Sequence, residues 1–296
     1  MSRKRILLTG GSGFIGRNIL ASPLALEHEF VSPGHAELDL CDTDAVDAYF
    51  RSRSFDCVIH GAVKPGHRAA RDTQALLQSN TRMFFNLARH VGRLERLIVL
   101  GSGAIYDSAR CEPRTPEENF GLRIPADEHG FTKYLCGKAG ETSDRIVDLR
   151  IFGIFGPWED YSIRFISNLI CKAQAGLPLT VKQDRRMDFL WVQDLVPVLG
   201  RFISHAPAQS AYNVTPDETA SLLDLAGRVR ALSGKDLEIR VAKDGLGPEY
   251  SGDNTRLKRE LPGFKPTPFD VSLPLLYRWY AEHPDLVERE RLLNDL

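Results

Sequence analysis

No stretch of this chain approaches the ~20 consecutive apolar residues that a membrane-crossing helix requires, so no membrane partner is expected. Charge of neither sign is in excess. Thirty-eight Lys and Arg face 39 Asp and Glu, for a net charge of −1. That balance removes the electrostatic case for nucleic acid or an anionic membrane as a partner. Cysteine is sparse: Cys41, Cys57, Cys111, Cys136 and Cys171 are scattered and odd in number. They show no Cys-x-x-Cys or His/Cys spacing suited to zinc, so no metal site is expected. Reduced thiols in a cytoplasm are the plain reading. The basic start, Met1 to Arg5, leads into a strand-length apolar run that breaks at glycine. It lacks the longer apolar core and small-residue cleavage site of a secretory signal. Internal repeats and low-complexity tracts are absent, and 296 residues suffice for one large domain or two smaller ones.

What the chain does have is concentrated first in Arg5 to Leu20, RILLTGGSGFIGRNIL. Ile6-Leu7-Leu8 is short enough for one buried strand. Phe14, Ile15, Ile19 and Leu20 fall at helical spacing. Gly10, Gly13 and Gly16 therefore sit between a strand and a helix, the context that gives a glycine-rich pattern meaning. Gly10 permits a tight turn, Gly13 lets backbone approach a pyrophosphate, and Gly16 lets helix and strand pack closely. The helix N-terminus presents the positive end of its dipole to the phosphates.

Short apolar strands then alternate with helical patterns. Strands are expected at Glu29–Val31, Cys57–His60, Leu97–Leu100 and Ile146–Phe152, and helices after Asp42, over 80–92 and over 127–141. This alternation implies an α/β fold with a Rossmann-type, doubly wound parallel sheet, whose ligands lie at the carboxyl ends of the strands. Gly10–Gly16, Gly61–Val63, Ser102 and Phe152–Gly156 all fall at such ends. The pattern changes beyond Gly156-Pro157. The expected division is a dinucleotide-binding domain over 1–156 and a smaller mixed α/β substrate region over 157–296, some of whose elements return to the first domain. Its elements are helices at 164–175, 195–205 and 221–233, strands at 177–181, 188–192, 211–214 and 237–241, and a helical tail over 270–296. An acid after Val31 would hold a ribose 2′-hydroxyl. Ser32 and His35 stand there instead, which leans toward NADP(H) over NAD(H).

In order, TGGSGFIG, LDLCD, VIHGAV, LIVLGSGAIYD, HGFTK, LRIFGIFGP and DFLWVQDL resemble the extended short-chain dehydrogenase/reductases of the nucleotide-sugar epimerase/dehydratase group. The resemblance covers nearly the whole chain. It implies that Phe14 and Ile15 accompany the three glycines in the cofactor site, that Asp39 and Leu40 border the adenine, and that Gly61, Ala62 and Val63 line the cofactor. Asn80 is then expected near the nicotinamide-side ribose, with Phe152 and Ile154 along the cofactor. The implied partner is a nucleoside-diphosphate sugar.

The family's chemistry is hydride transfer at an oxygen-bearing sugar carbon. It needs a proton donor or acceptor, a cation beside it and an orienting hydroxyl. Ser102 matches the hydroxyl. Two registers compete for the family's Tyr-x-x-x-Lys. One is Tyr134 with Lys138. The other is His129 with Lys133, continuing Gly-Phe-Thr-Lys, with histidine at the tyrosine's place. The second is favoured, because His129 lies two residues after the capping Asp127 while Tyr134 is well into the helix. Five residues turn a helix through about 140° net, so the two side chains face different ways.

The neighbours narrow the reaction. The family's dehydratases place Asp and Glu where this chain has Gly103 and Ala104. Its C3/C5-epimerising reductases place Cys and His where Ala104 and Trp158 stand, and neither Cys111 nor His67 is promoted to that role. Reduction of a 4-keto-deoxysugar nucleotide remains, with 4-epimerisation as the alternative. A catalytically silent dinucleotide-binding protein is the alternative of another class, because of His129. Gly103 and Ala104 are expected at the sugar, and Arg186 and Arg256 at its diphosphate, where the family carries arginines. Gly153 replaces a family asparagine. Helices over 72–92 and 127–141 imply, by the resemblance, a homodimer built on a four-helix bundle.

Overall fold

The computed structural model describes residues 2–66 and 74–293. Five strands appear in chain order before the fold's second half: β1 (Arg5–Thr9), β2 (Glu29–Val31), β3 (Cys57–His60), β4 (Arg96–Ser102) and β5 (Ile146–Ile151). With the Ala211–Val214 strand they form one sheet, in the order Ala211–Val214, β5, β4, β3, β1, β2. Every pairing is parallel, with Ile6 beside Cys57 on one side and Phe30 on the other.

These runs are continuous in apolar residues because both sheet faces are covered. Alternation along each strand assigns the side chains to the two layers. Ile6, Leu8, Ile59 and Ile98 pack against Leu195, Val198, Leu199 and Phe202 of the helix Leu195–Ser204. Leu7, Val58, Leu97 and Val99 pack against Val46 and Phe50 of the helix Thr43–Ser52 and Phe84 and Leu87 of the helix Leu76–Ala88. Asp42 starts the first of these two helices by accepting from the Asp44 and Ala45 amides at 2.9 and 3.0 Å. Asp127 caps the helix Glu128–Gly140 by accepting from the Gly130 amide at 2.8 Å.

The fold is the one the sequence pattern implies, and the chain does cross the 156/157 division. Ala211–Val214 extends the sheet beside β5, and Leu195–Ser204 closes one of its faces. The remaining C-terminal elements build a second core. There the helices Phe165–Gln174, Leu222–Ser233 and Phe269–Glu282 pack around the parallel pair Leu179–Asp184 and Ile239–Leu246.

Two expectations are shortened. The strand expected over 188–192 is only Leu190–Trp191. Asp188 turns aside, its carboxylate accepting from the Gly252 amide at 2.7 Å and from the Thr215 hydroxyl. The tail helix ends at Glu282, ahead of Pro284, which disfavours helical backbone in the residue before it. Residues 294–296 lie outside the described residues, as do His67 and the Asp72 start expected for the 72–92 helix. No helix among the described residues is long and apolar enough to cross a membrane.

Candidate active site

A groove of about 620 Å³ runs across the carboxyl ends of β1 and β3. Its floor is Thr9 to Gly13 and Gly61 to Lys64, and its far wall includes His35, Leu38, Asp39 and Leu40. Steric constraints account for the glycines. Gly10 has φ +76°, and a Cβ there would stand 2.7 Å from the Ala62 nitrogen. A Cβ on Gly16 would overlap the Gly10 carbonyl oxygen and the Gly11 Cα. Gly13 is less constrained, with the Gly10 oxygen 3.3 Å from a Cβ. It precedes the helix Phe14–Leu20 and donates its amide to the Gly10 carbonyl at 3.0 Å. This cradle fits the pyrophosphate of a dinucleotide.

Of the residues expected at the cofactor, Gly10, Gly13, His35, Asp39, Leu40, Gly61, Ala62 and Val63 line the groove. The others stand behind its surface. Gly16, Phe14 and Ile15 belong to the first turn of the helix. Ser32 packs against the Gly11 Cα, where a Cβ would overlap its hydroxyl. Asn80 accepts from the Lys64 amide at 2.7 Å and donates to the Lys64 carbonyl at 3.1 Å, so it fixes the groove's floor. Phe152 is buried between Tyr106 and Tyr250, with ring centroids 5.9 and 5.0 Å away. Ile154 packs into the core beneath the sheet.

The chemical centre forms where β4 ends. Ser102 accepts from the Ala104 amide at 3.2 Å. Gly103 and Ala104 are buried behind it rather than open to a ligand, with the Phe152 ring 2.5 Å from where a Gly103 Cβ would stand. The Glu128–Gly140 helix starts directly on this turn. A Cβ on Gly130 would lie 2.7 Å from the Ala104 carbonyl oxygen, and one on Gly137 2.7 Å from Ile105. That contact sets the first turn of the helix, which carries the exposed His129, against the turn that follows Ser102. Lys133, one turn further along, is half-buried and donates to the Leu100 carbonyl at 3.0 Å. Burial lowers its pKa, and Cys136 and Asp148 oppose that shift. The pKa of His129 is also lowered, first by the desolvating walls around it and then by Lys133, with Asp127 opposing and Arg164 assisting.

The rival pair lies elsewhere. Tyr134 meets Phe120 edge to face at 5.3 Å. Lys138 pairs with Glu141 at 3.0 Å and covers the Phe120 ring. Its side chain is 40 % exposed. The backbone thus brings His129 and Lys133, not Tyr134 and Lys138, to the Ser102 end of the sheet.

The two arginines expected at the diphosphate are engaged by protein. Arg186 donates to the Thr219 hydroxyl and carbonyl, both at 2.8 Å. Arg256 donates to the Ala211 carbonyl at 3.2 Å and pairs with Glu117 and Glu118. Arg185 is the cation that the sequence reading missed. Its Nε is buried without a partner, and it forms no ion pair among the described residues. It stands 5.9 Å over the Tyr250 ring. The signal was proximity in sequence: Arg185 lies two residues before Met187, the position nearest the family register. Tyr250 was also missed, because it comes from a loop far along the chain.

A buried acid lies outside this centre. Glu159 accepts from the Ser167 hydroxyl at 2.6 Å, and burial raises its pKa to about 8. Beneath the groove, His60 faces the Thr9 hydroxyl at 2.9 Å, and burial lowers its pKa to about 3.

Comparison with known proteins agrees with this geometry. Residues 6–215 match the NAD dependent epimerase/dehydratase family. The chain is 26% identical to dTDP-4-dehydro-6-deoxy-D-allose reductase of Streptomyces sp, over 95% of this chain and 97% of that one. It is 33% identical to GDP-L-colitose synthase of Yersinia pseudotuberculosis, over 64% of this chain and 69% of the relative. A GDP-L-fucose synthetase from Naegleria fowleri, solved with NADP, superposes with a TM-score of 0.83 at 18% identity, covering 96% of this chain and 95% of that one. With its glycine cradle at the head of a six-stranded parallel sheet and its match over residues 6–215, the chain belongs to the NAD dependent epimerase/dehydratase family.

Proposed function

We propose that this chain reduces the 4-keto group of a nucleoside-diphosphate deoxysugar, using NADPH. One observation carries the reading. The carbonyl end of the site holds a hydroxyl, a lysine and an imidazole in Ser102, Lys133 and His129, while the positions flanking it, Gly103, Ala104 and Trp158, hold no acid or base. Such a site serves hydride transfer and proton delivery at one oxygen, and those flanking positions offer no group to remove water or epimerise a neighbouring carbon. The Streptomyces and Yersinia relatives, named as a deoxysugar reductase and a colitose synthase, support the same substrate class.

The nicotinamide cofactor, when bound, supplies the hydride. Gly10 to Gly13 would hold its pyrophosphate, and Asp39 and Leu40 its adenine end. Lys133 would hold its ribose, and it favours the neutral form of His129. Ser102 orients the sugar's keto oxygen by hydrogen bonding, and His129 delivers the proton as that oxygen gains charge. Arg185, rather than Arg186 or Arg256, meets the diphosphate, since of the three its guanidinium alone has no hydrogen-bond or ion-pair partner among the described residues. The neutral Ser32 and His35 beyond β2 favour NADPH over NADH. Five free cysteines fit a cytoplasmic setting.

The helices Leu76–Ala88 and Glu128–Gly140 lie side by side, joined where the Leu77 amide donates to Glu128 at 2.9 Å. Half-exposed Phe85, with Leu122 and Ile124, leaves apolar surface near this pair for a second copy of the chain. A homodimer is expected by light scattering at micromolar concentration, and a monomer would overturn it.

The test of function is NADPH oxidation with a 4-keto-6-deoxysugar nucleotide. Stoichiometric consumption of NADPH is expected. Cofactor that copurifies and turns over with none added would make the chain a 4-epimerase. Binding without turnover would favour the silent reading that His129 keeps in view.

A further inference from the structure

We propose that Asp188 is a positioning residue: its buried carboxylate clasps the segment bearing Arg185 to the 250–252 loop and to the end of the central sheet, and so fixes the guanidinium that meets the substrate's diphosphate. The inference rests on the reading of Arg185 given above and names what holds that cation in place.

Hydrogen bonds carry the argument. Asp188 is 1% exposed, and a carboxylate so enclosed costs free energy unless donors meet it. Its Oδ2 accepts from the Gly252 amide at 2.7 Å and from the Thr215 hydroxyl, donors that come from 64 and 27 residues away. Thr215 follows directly on the Ala211–Val214 strand, and Asn254 holds its carbonyl at 2.9 Å. Backbone bonds close the clasp. The Tyr250 amide donates to the Arg186 carbonyl at 3.0 Å, and the Asp188 amide donates to the Tyr250 carbonyl at 3.2 Å. One residue therefore grips the 250–252 loop twice, through its amide and through its carboxylate. Burial raises the carboxyl's pKa to about 7, and the Thr215 and Gly252 bonds oppose that rise.

The clasp reaches Arg185 through Tyr250. The guanidinium lies 5.9 Å from the Tyr250 ring centroid, within the range of cation–π attraction. The ring is buried in turn, with its centroid 5.0 Å from that of Phe152. Arg185 Nε is buried without a hydrogen-bond partner, so this aromatic shelf, rather than an acceptor of its own, sets where the cation rests. A shift of the 250–252 loop moves the shelf and the cation with it. Because Thr215 ties the same carboxylate to the central sheet, the cation is also held in register with the strand that ends at Ser102.

The test is calorimetric titration of the NADPH-saturated protein with GDP, UDP and dTDP. In Asp188→Ala the Kd of the tightest of the three should rise about ten-fold, the worth of one hydrogen bond to a charged group, while the Kd for NADPH stays within about two-fold. Asp188→Asn keeps an acceptor oxygen and should recover most of the affinity. Arg185→Ala should weaken binding at least as much as Asp188→Ala, and the double variant no more than Arg185→Ala alone. Thr215→Val removes one donor and keeps the shape, so it carries the same test, at about three-fold, should Asp188→Ala not fold. Parental diphosphate affinity in the Asp188 and Thr215 variants beside a weakened Arg185→Ala would overturn the proposal alone. Equal losses for NADPH and the nucleoside diphosphate would mark a general loosening of the fold and refute it as well. An unaffected Arg185→Ala, or no binding of any of the three, would overturn the diphosphate reading of Arg185 and the proposal with it.

Discussion

On the proposed register, exchanging His129 for tyrosine restores the phenol the family uses, and the lowered His129 pKa sets the size of the effect. The His129 pKa lies below the ordinary imidazole value, depressed by desolvation and by Lys133. With an ordinary value of ~6.5 as the ceiling, less than about 3% of His129 carries the imidazolium proton at pH 8. If that proton is the one delivered to the keto oxygen, kcat/KM should fall roughly ten-fold for each pH unit above 6.5. A phenol, with an ordinary pKa of ~10, stays protonated throughout that range. His129→Tyr should therefore flatten the profile and raise the rate at pH 8 by roughly ten-fold or more. The control is Tyr134→Phe. The Tyr134 hydroxyl makes no hydrogen bond among the described residues, and its edge contact with Phe120 survives the change. Its rate should stay within about two-fold, a negligible free-energy change. Initial rates of NADPH oxidation from pH 6 to 9 measure all three proteins. A loss of roughly 10²–10⁴-fold in Tyr134→Phe, the worth of a general acid, would refute the assignment. So would a His129→Tyr variant slower than the parent at pH 8.

Three further outcomes follow from geometry already described. Gly13→Val should fold normally and lose cofactor affinity, whereas Gly16→Ala should lower the thermal midpoint, because only at Gly16 does a Cβ overlap the neighbouring backbone; equal melting of the two variants would contradict this. Fluorescence titration should show tighter binding of NADPH than of NADH, and the reverse order would overturn the reading of Ser32 and His35. Glu159 is held protonated up to about pH 8 against an ordinary value of 4.5. Its contribution to stability is fully present below 4.5 and is lost as pH rises through about 8, with a ceiling of roughly 5 kcal/mol. Glu159→Gln should keep the Ser167 bond and remove that loss, and denaturant unfolding at pH 5 and pH 8 with the same pH dependence in both proteins would show otherwise.

Much of the fold was legible because its strands are buried on both faces. Cys57–His60 and Ala211–Val214 stand where their apolar runs place them, and Asp42 and Asp127 mark helix starts by cap chemistry that is local in sequence. The site was legible in part. The glycine cradle depends on short-range spacing, and spacing survives in sequence. The cations did not read out, because whether an arginine is free depends on partners such as Thr219 and Glu118, which lie 33 and 138 residues away. Tyr250 stayed hidden for the same reason. The strand expected over 188–192 failed because apolar alternation carries no trace of the Asp188 carboxylate turning toward the Gly252 amide.

Gly153 occupies the place of a family asparagine, and its surroundings make that difference one-way. The Asp188 carbonyl oxygen occupies the space a Cβ would need, with Phe189 3.0 Å from the same point. An asparagine introduced there alone would collide before it could contact any ligand. Transplanting the family's residue into this enzyme therefore requires replacing 153 and the 188–189 backbone together. A directed-evolution campaign that samples one position at a time would record Gly153 as immutable, when it is only interlocked.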